Sequence, residues 1–179
     1  MISFRYTEKE IQELLKTMVI VCDTRENVNG HIIDYLKQKE IPVKIQKLDT
    51  GDYGCLLPKN EKMGITRDIY LNSFVERKAH MDEITGNLQK DTQTAFENEL
   101  RRSKDLGFVM IVEDKDAYEK MLKGDYRSKY DPLALLGRLN TFKARYDFEI
   151  VYLDKKFSGN WIYHHFYYQL RHYLKRGAF

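Results

Sequence analysis

Two five-residue runs, Met18-Val19-Ile20-Val21-Cys22 and Phe108-Val109-Met110-Ile111-Val112, are apolar at every position. Successive side chains of a strand point to opposite faces, so a strand with no polar face needs cover on both. The length and β-branching of the first run suit a buried strand. Around these runs the pattern changes to helical period. Thr7 and Glu10 stand at capping-box spacing ahead of Ile11, Leu14, Leu15 and Met18, which predicts a helix over about 7–17. Ile32, Ile33 and Leu36 predict another over 29–39, and Pro42 opens a strand that runs through Leu48. Strand, helix, strand is the rhythm of a sheet covered by helices.

The turn Asp49-Thr50-Gly51-Asp52 leads into a short strand, Tyr53 to Leu57, and the polar stretch 58–64 reads as a hairpin loop. The returning strand is expected over 67–78. Helical patterns follow near 82–87, 91–105, 114–123 and 131–145, a last strand at 149–153 and a final helix over 157–176. No repeat and no linker rich in Gly, Ser or Pro divides the chain. The expected fold is a single α/β domain with a central mixed β-sheet flanked by helices.

At 179 residues the chain can bury roughly 70% of the surface its unfolded form exposes, enough for a core of its own. With 42% hydrophobic residues and three prolines it is neither fibrous nor low-complexity. No apolar run approaches the roughly 20 residues of a membrane span, and the first ten residues lack a signal-peptide core. A cytoplasmic protein without membrane contact is therefore expected. Cys22 and Cys55 are too few for a disulfide framework or a zinc cage, and read as reduced, buried thiols. The net charge is only +3, but residues 138–179 hold eight Lys/Arg against three Asp/Glu. A basic end on a slightly acidic body fits a carboxylate site beside a phosphate-binding surface, and equally fits a solvated helix.

Chemistry concentrates in Val75-Glu76-Arg77-Lys78. On a strand Glu76 and Lys78 share one face while Val75 and Arg77 take the other. If 53–57 and 67–78 pair as a hairpin, Asp52 falls close to Glu76. Two converging carboxylates make a hard, oxygen-rich site suited to Mg²⁺, with Mn²⁺ able to substitute. Lys78 could neutralise charge on a scissile phosphate or orient the attacking water. Asp followed by Glu-x-Lys is the minimal layout of the metal-dependent PD-(D/E)xK nucleases, although Glu-x-Lys alone arises readily in any charged chain.

The longer string is more specific. Glu76-Arg77-Lys78-Ala79-His80-Met81-Asp82 reads ERKxxxD, preceded by Gly51-Asp52-Tyr53 and by Asp23-Thr24-Arg25-Glu26 at the end of the first buried strand. In this order the pieces resemble the nuclease domain of the XPF family of structure-specific endonucleases. The resemblance covers about 18–155, between an N-terminal helix (1–17) and a basic, aromatic C-terminal helix (156–179) packed on the domain or on a partner subunit. It implies a restriction-endonuclease-like core in which Asp52, Glu76 and Asp82 bind the divalent metal, with the Arg77 carbonyl completing the shell. Lys78 would stand near the attacking water, and Asp23 and Glu26 would support the site. Arg25 and Arg77 are candidate phosphate contacts or structural partners of Glu26 or Asp82.

The implied activity is metal-dependent hydrolysis of phosphodiesters in branched or single-/double-strand junction DNA, in repair or recombination. A resolvase-like or nicking enzyme and a non-catalytic DNA-binding subunit are the rival readings. On the helix 91–105, Gln93, Glu97 and Arg101 share a face, and Gln93 and Arg101 are candidate DNA contacts or part of a solvated surface. In the C-terminal stretch, Phe157, Trp161, Phe166, Leu170, Tyr173 and Leu174 read as one stripe for packing, with stacking of bases the alternative. Residues 131–174 are the candidate homodimer surface. Two departures stand out: the Asp52–Glu76 spacing is long, and the roughly 25 residues after the last strand hold no tandem helix-hairpin-helix module. A compact nuclease of phage or bacterial setting, nucleoid-associated, is the corresponding expectation. His80 is expected at the surface and not as a metal ligand.

Overall fold

The structure, a computed structural model, describes residues 5–177. In chain order it runs α1 (Glu8–Leu15), β1 (Val19–Cys22), α2 (Gly30–Gln38), β2 (Val43–Ile45), β3 (Tyr53–Leu57), β4 (Ile69–Tyr70) and β5 (Ser73–Lys78). There follow α3 (Met81–Asn87), α4 (Gln93–Ser103), β6 (Gly107–Val112), α5 (Ala117–Lys123), α6 (Pro132–Tyr146), β7 (Glu149–Tyr152) and α7 (Ser158–Arg176). The class is α/β, with parallel and antiparallel strand pairs flanked by helices. Of the terminal segments expected from sequence, residues 1–4 and 178–179 lie outside the described residues. Among the described residues no helix is long and apolar enough to cross a membrane. Two compact units alternate along the chain: 5–48, 53–73 and 159–177 in one, 49–52 and 74–158 in the other.

In the first unit β1 is the buried strand its sequence demands, parallel to β2 and antiparallel to β3. The hairpin forms as β3 against β4, in register Leu56 with Tyr70, with one turn of 3-10 helix at Glu61–Met63 in its loop. β2 is shorter than the strand expected through Leu48. Past Ile45 the Asp23 carboxylate takes the Leu48 N–H at 2.6 Å, so a side chain replaces the ladder there. The Thr7–Glu10 capping box that opens α1 is complete in both directions.

α7 also belongs to this unit, and its buried stripe differs from the expected one. Ile162, Phe166, Leu170 and Leu174, each four residues apart, are wholly buried. Phe157 and Tyr173 are 54% and 40% exposed, so the expected stripe mixed two faces. α7 runs along α1, where Arg171 pairs with Glu8 at 2.6 Å, and meets α2, where Asn160 donates to the Tyr35 hydroxyl at 2.8 Å. Gly159 allows this approach, since a Cβ there would lie 2.9 Å from the Tyr35 ring. Cys22 and Cys55 are buried as thiols, and burial pushes the Cys55 pKa up to about 12.

In the second unit β6 is the other fully apolar strand, between β5 and β7, and parallel to β7. Its core gathers Met81 and Ile84 of α3, Phe96 and Leu100 of α4, and Leu135, Leu139 and Phe142 of α6. α5 starts at Ala117, later than the expected 114, because the Asp114 carboxylate folds the chain into a turn by accepting from Asp116 N at 3.0 Å. Asp131 caps α6 through Ala134 N at 2.8 Å, with Pro132 in its first turn.

Burial also makes one group of α7 sensitive to acid. His165 stacks on Trp161 and sits 3.3 Å from Ser73 Oγ, and burial lowers its pKa from 6.5 to about 4. The unfolded chain then takes up a proton that the folded one refuses, so stability from this group is complete above about pH 6.5 and declines as pH falls toward 4. Urea titrations between pH 7 and 4.5 are expected to show the parent losing more stability on acidification than His165→Phe; parallel curves would contradict this.

Candidate active site

The site is built in the second unit by one glycine turn and one strand end. Gly51 has φ +68°, and a Cβ there would lie 3.1 Å from both Val75 O and Phe74 Cβ. Only glycine combines that backbone with so close an approach to β5. Asp52 thereby clasps the strand: its N–H donates to Val75 O at 2.9 Å and its Oδ2 accepts from Arg77 N at 2.8 Å. These two bonds bracket Glu76, which is the convergence expected from the sequence.

Glu76, Arg77 and Lys78 are all buried, and they alternate in direction as a strand requires. Lys78 Nζ donates to Glu76 Oε1 at 2.6 Å and lies 6.0 Å from the centre of the Phe96 ring. Burial alone would lower the Lys78 pKa, but the charges of Glu76, Glu99 and Asp52 and the Glu76 hydrogen bond raise it above its ordinary value. The group is therefore a fixed cation at neutral pH, suited to stabilising negative charge and not to abstracting a proton. On the other face Arg77 Nε meets Glu113 Oε2 at 3.0 Å, with 5% and 0% of the side chains exposed.

Asp82, on the first turn of α3, faces elsewhere. Its Oδ1 accepts from Arg127 N at 2.8 Å and its Oδ2 lies 3.5 Å from Arg127 Nε and 4.0 Å from His80 Nδ1. The His80 side chain is 53% exposed, as expected. In the first unit Asp23 binds Arg25 through Nε at 2.7 Å as well as Leu48 N. Burial would raise the Asp23 pKa, yet the Arg25 hydrogen bond, the Leu48 and Arg25 N–H groups and the Arg25 charge bring it below the ordinary carboxylate value. Arg25 thus has Asp23 as a partner, and Glu26, half-buried, donates its N–H to Asp23 O at 3.2 Å. On α4, Gln93 donates to Glu97 at 2.6 Å, Glu97 also receives the Tyr146 hydroxyl at 3.4 Å, and Arg101 bonds Asn98.

Two carboxylates at the site escaped the sequence reading. Glu99 acts on Lys78 from the α4 face that carries Phe96, three residues earlier, not from the Gln93–Glu97 face. Glu113 directly follows the all-apolar strand β6, the end of a strand at which α/β sites gather. That position was a usable signal. Among the described residues no three His, Cys, Asp or Glu side chains come together as a ready metal cage. The carboxylates that act on Lys78 are those of Glu76, Glu99 and Asp52. All are hard oxygen ligands, and the set fits a cation such as Mg²⁺ that keeps several waters.

Compared with known proteins, the chain matches the family model for the ERCC4 domain over residues 22–165. The chain belongs to the ERCC4 domain family. The matched span holds the Asp52 turn, the ERKxxxD string and Glu113, and the fold is shared with solved XPF structures. A solved structure of XPF from Aeropyrum pernix is similar with a TM-score of 0.58 at 18% identity, over 87% of this chain and 66% of that one. XPF from Aeropyrum pernix in complex with DNA gives 0.55 at 18% identity, over 86% of this chain and 63% of the other. At that identity the likeness is one of fold, and this ERCC4 domain spans less than two thirds of either chain. No curated protein matches it.

The buried Arg77–Glu113 pair fixes the strand that carries Glu76 and Lys78. Removing one partner of such a pair leaves a buried charge without its counter-charge, at a typical cost of about 3–5 kcal/mol. Glu113→Ala is expected to lose about that much in urea unfolding, and the double variant Arg77→Met/Glu113→Met to recover most of it. Equal losses in both would show that the pair does not act as a unit.

Proposed function

We propose that this chain is a divalent-metal-dependent DNA endonuclease that hydrolyses phosphodiester bonds in branched or single-/double-strand junction DNA, in repair or recombination. The observation that carries the reading is the buried Lys78 ammonium, held charged 2.6 Å from Glu76 and within the field of Asp52 and Glu99. Such a cation beside two clasped carboxylates is poorly explained as packing and well explained as chemistry on an anion. Membership of the ERCC4 domain family and the fold shared with a DNA-bound XPF support DNA as the substrate.

Asp52 and Glu76, with the Arg77 carbonyl, would hold Mg²⁺ or Mn²⁺. When bound, the cation supplies Lewis acidity toward the phosphate and lowers the pKa of water. Lys78 offers its remaining N–H donors to the phosphate or to the incoming water, and its fixed charge opposes the negative charge that grows as the bond breaks. The Asp52 clasp keeps Glu76 from swinging away, because both flanking backbone groups are tied to the turn. Asp23 keeps to the first unit, where it holds Arg25 and the chain around Leu48.

The test is cleavage of labelled flap, fork, four-way junction, single-stranded and plain duplex DNA with Mg²⁺, Mn²⁺ or EDTA. Branched substrates are expected to be cut only with metal, and Glu76→Ala and Lys78→Ala to lose at least about a hundredfold in rate while still melting cooperatively. Tight binding of branched DNA without cutting would favour the positioning-subunit reading. Equal cutting of all duplexes would remove the junction preference.

A second copy is the proposed partner. Leu133 of α6 is 76% exposed, and Leu122 and Tyr118 of α5 are half-exposed in the same unit, near Tyr152 of β7. These apolar groups support a homodimer face within 131–174 and the adjoining α5. Sedimentation equilibrium is expected to give a dimer that Leu133→Glu converts to monomer.

A further inference from the structure

Resting on the nuclease reading above, we infer that Asp82 anchors the loop 124–131 and that Arg127, held by it, grips a backbone phosphate of the DNA entering the site. Both Asp82 oxygens face Arg127: Oδ1 accepts from its N–H at 2.8 Å, and Oδ2 stands 3.5 Å from its Nε and 4.0 Å from His80 Nδ1. The two residues are 45 apart in sequence, so this contact ties the middle of the loop to the first turn of α3. The loop is also held by Tyr126 and Tyr130, which pack against the core of this unit, and by Asp125 N, which donates to Lys120 O at 2.9 Å. Gly124 takes the left-handed conformation that ends α5, Tyr126 donates its hydroxyl to Tyr130 O at 2.8 Å, and Tyr130 N donates to Ser128 Oγ at 2.9 Å.

This arrangement fixes the backbone of Arg127 and leaves its head in water, since 93% of the side chain is exposed. An exposed ion pair at 3.5 Å contributes little stability, so the guanidinium is poorly explained as a structural brace. A guanidinium has five N–H donors in a planar fork suited to phosphate, and Asp82 stands 3.5 Å from its Nε. The groove beside it, about 420 Å³, is lined by His80, Lys120, Asp114 and Asp125 as well, and Lys120 is paired with Asp114 at 2.7 Å. Position completes the argument. Asp82 is four residues from Lys78, so their Cα atoms are at most about 14 Å apart. At about 3.4 Å of rise per nucleotide on one strand, Arg127 reaches phosphates only a few nucleotides from the bond that Lys78 addresses.

Asp82 is then a positioning residue that works through Arg127, where the family pattern would make it a metal ligand. The two roles separate in solution. The full chain and its Arg127→Ala, Arg127→Lys, Asp82→Ala, Asp82→Asn and Asp52→Ala variants would be titrated onto fluorescein-labelled flap and plain duplex DNA in EDTA across a range of KCl. Mn²⁺ alone would be titrated calorimetrically. Arg127→Ala is expected to weaken binding about tenfold on both DNAs and to reduce the slope of log K against log[KCl] by about 0.9, and Arg127→Lys to restore the slope. Asp82→Ala should reproduce Arg127→Ala on DNA yet bind Mn²⁺ like the parent. Asp82→Asn keeps an oxygen for the Arg127 N–H and should bind DNA more tightly than Asp82→Ala.

An unchanged salt slope in Arg127→Ala, with parental binding and cleavage intact, would overturn the inference and leave the nuclease reading standing. Loss of Mn²⁺ binding in Asp82→Ala equal to that in Asp52→Ala would overturn the anchor role. A parent that neither binds nor cuts DNA would overturn both readings together.

Discussion

A strand end that buries a glutamate, an arginine and a lysine in succession can exist only if each charge finds its counter-charge within the fold. β5 meets that demand through the pleat. Odd and even residues point to opposite sides, so Lys78 is matched to Glu76 on one side and Arg77 to Glu113 on the other. The rest of the second unit can be understood as what this requires: a turn that clasps the backbone around Glu76, a neighbouring strand followed directly by Glu113, and a helix that presents Phe96 and Glu99 to the ammonium. Ion pairs at these depths are seldom favourable compared with apolar side chains of the same size. Their concentration on four residues is the mark of a site whose electrostatics were kept for use.

The sequence made much of this legible where the signal was local. A run with no polar face must be a covered strand, and both such runs are. A capping box, a Gly-Asp turn and an ERKxxxD string each lie within seven residues, so their geometry follows from spacing alone. The clasp of Asp52 on β5 was accessible one step further, through the hairpin that brings 53–57 back against the following strand.

What escaped was set by tertiary neighbours. Glu99 and Gln93 lie on the same helix, and only the direction from which α4 approaches decides which of its faces meets Lys78. Arg77 was given Glu26 or Asp82 as partners because they lie in motifs, whereas the structure pairs it with Glu113 from the adjoining strand. α7 carries Trp161, His164, His165 and Tyr168 on the side away from Ile162 and Phe166, so both sides are rich in rings and hydropathy barely distinguishes them. β2 was read too long because the carboxylate that interrupts it comes from Asp23, 25 residues earlier.

The alternation of the two units along the chain also bears on how the protein is made. Apart from the four residues of the Asp52 turn, the second unit is one continuous stretch from 74 to 158, whose contacts can form as it emerges. The first unit cannot close in that order. α1 and its partner α7 stand at opposite ends of the described residues, and the Arg171–Glu8 pair joins residues 163 positions apart. Closing so long a loop is entropically costly and slow relative to local pairing. Until α7 arrives, Glu8 and Gln12 of α1 lack the helix they bind. An amphipathic helix that waits on so distant a partner is the kind of exposed segment that chaperones engage.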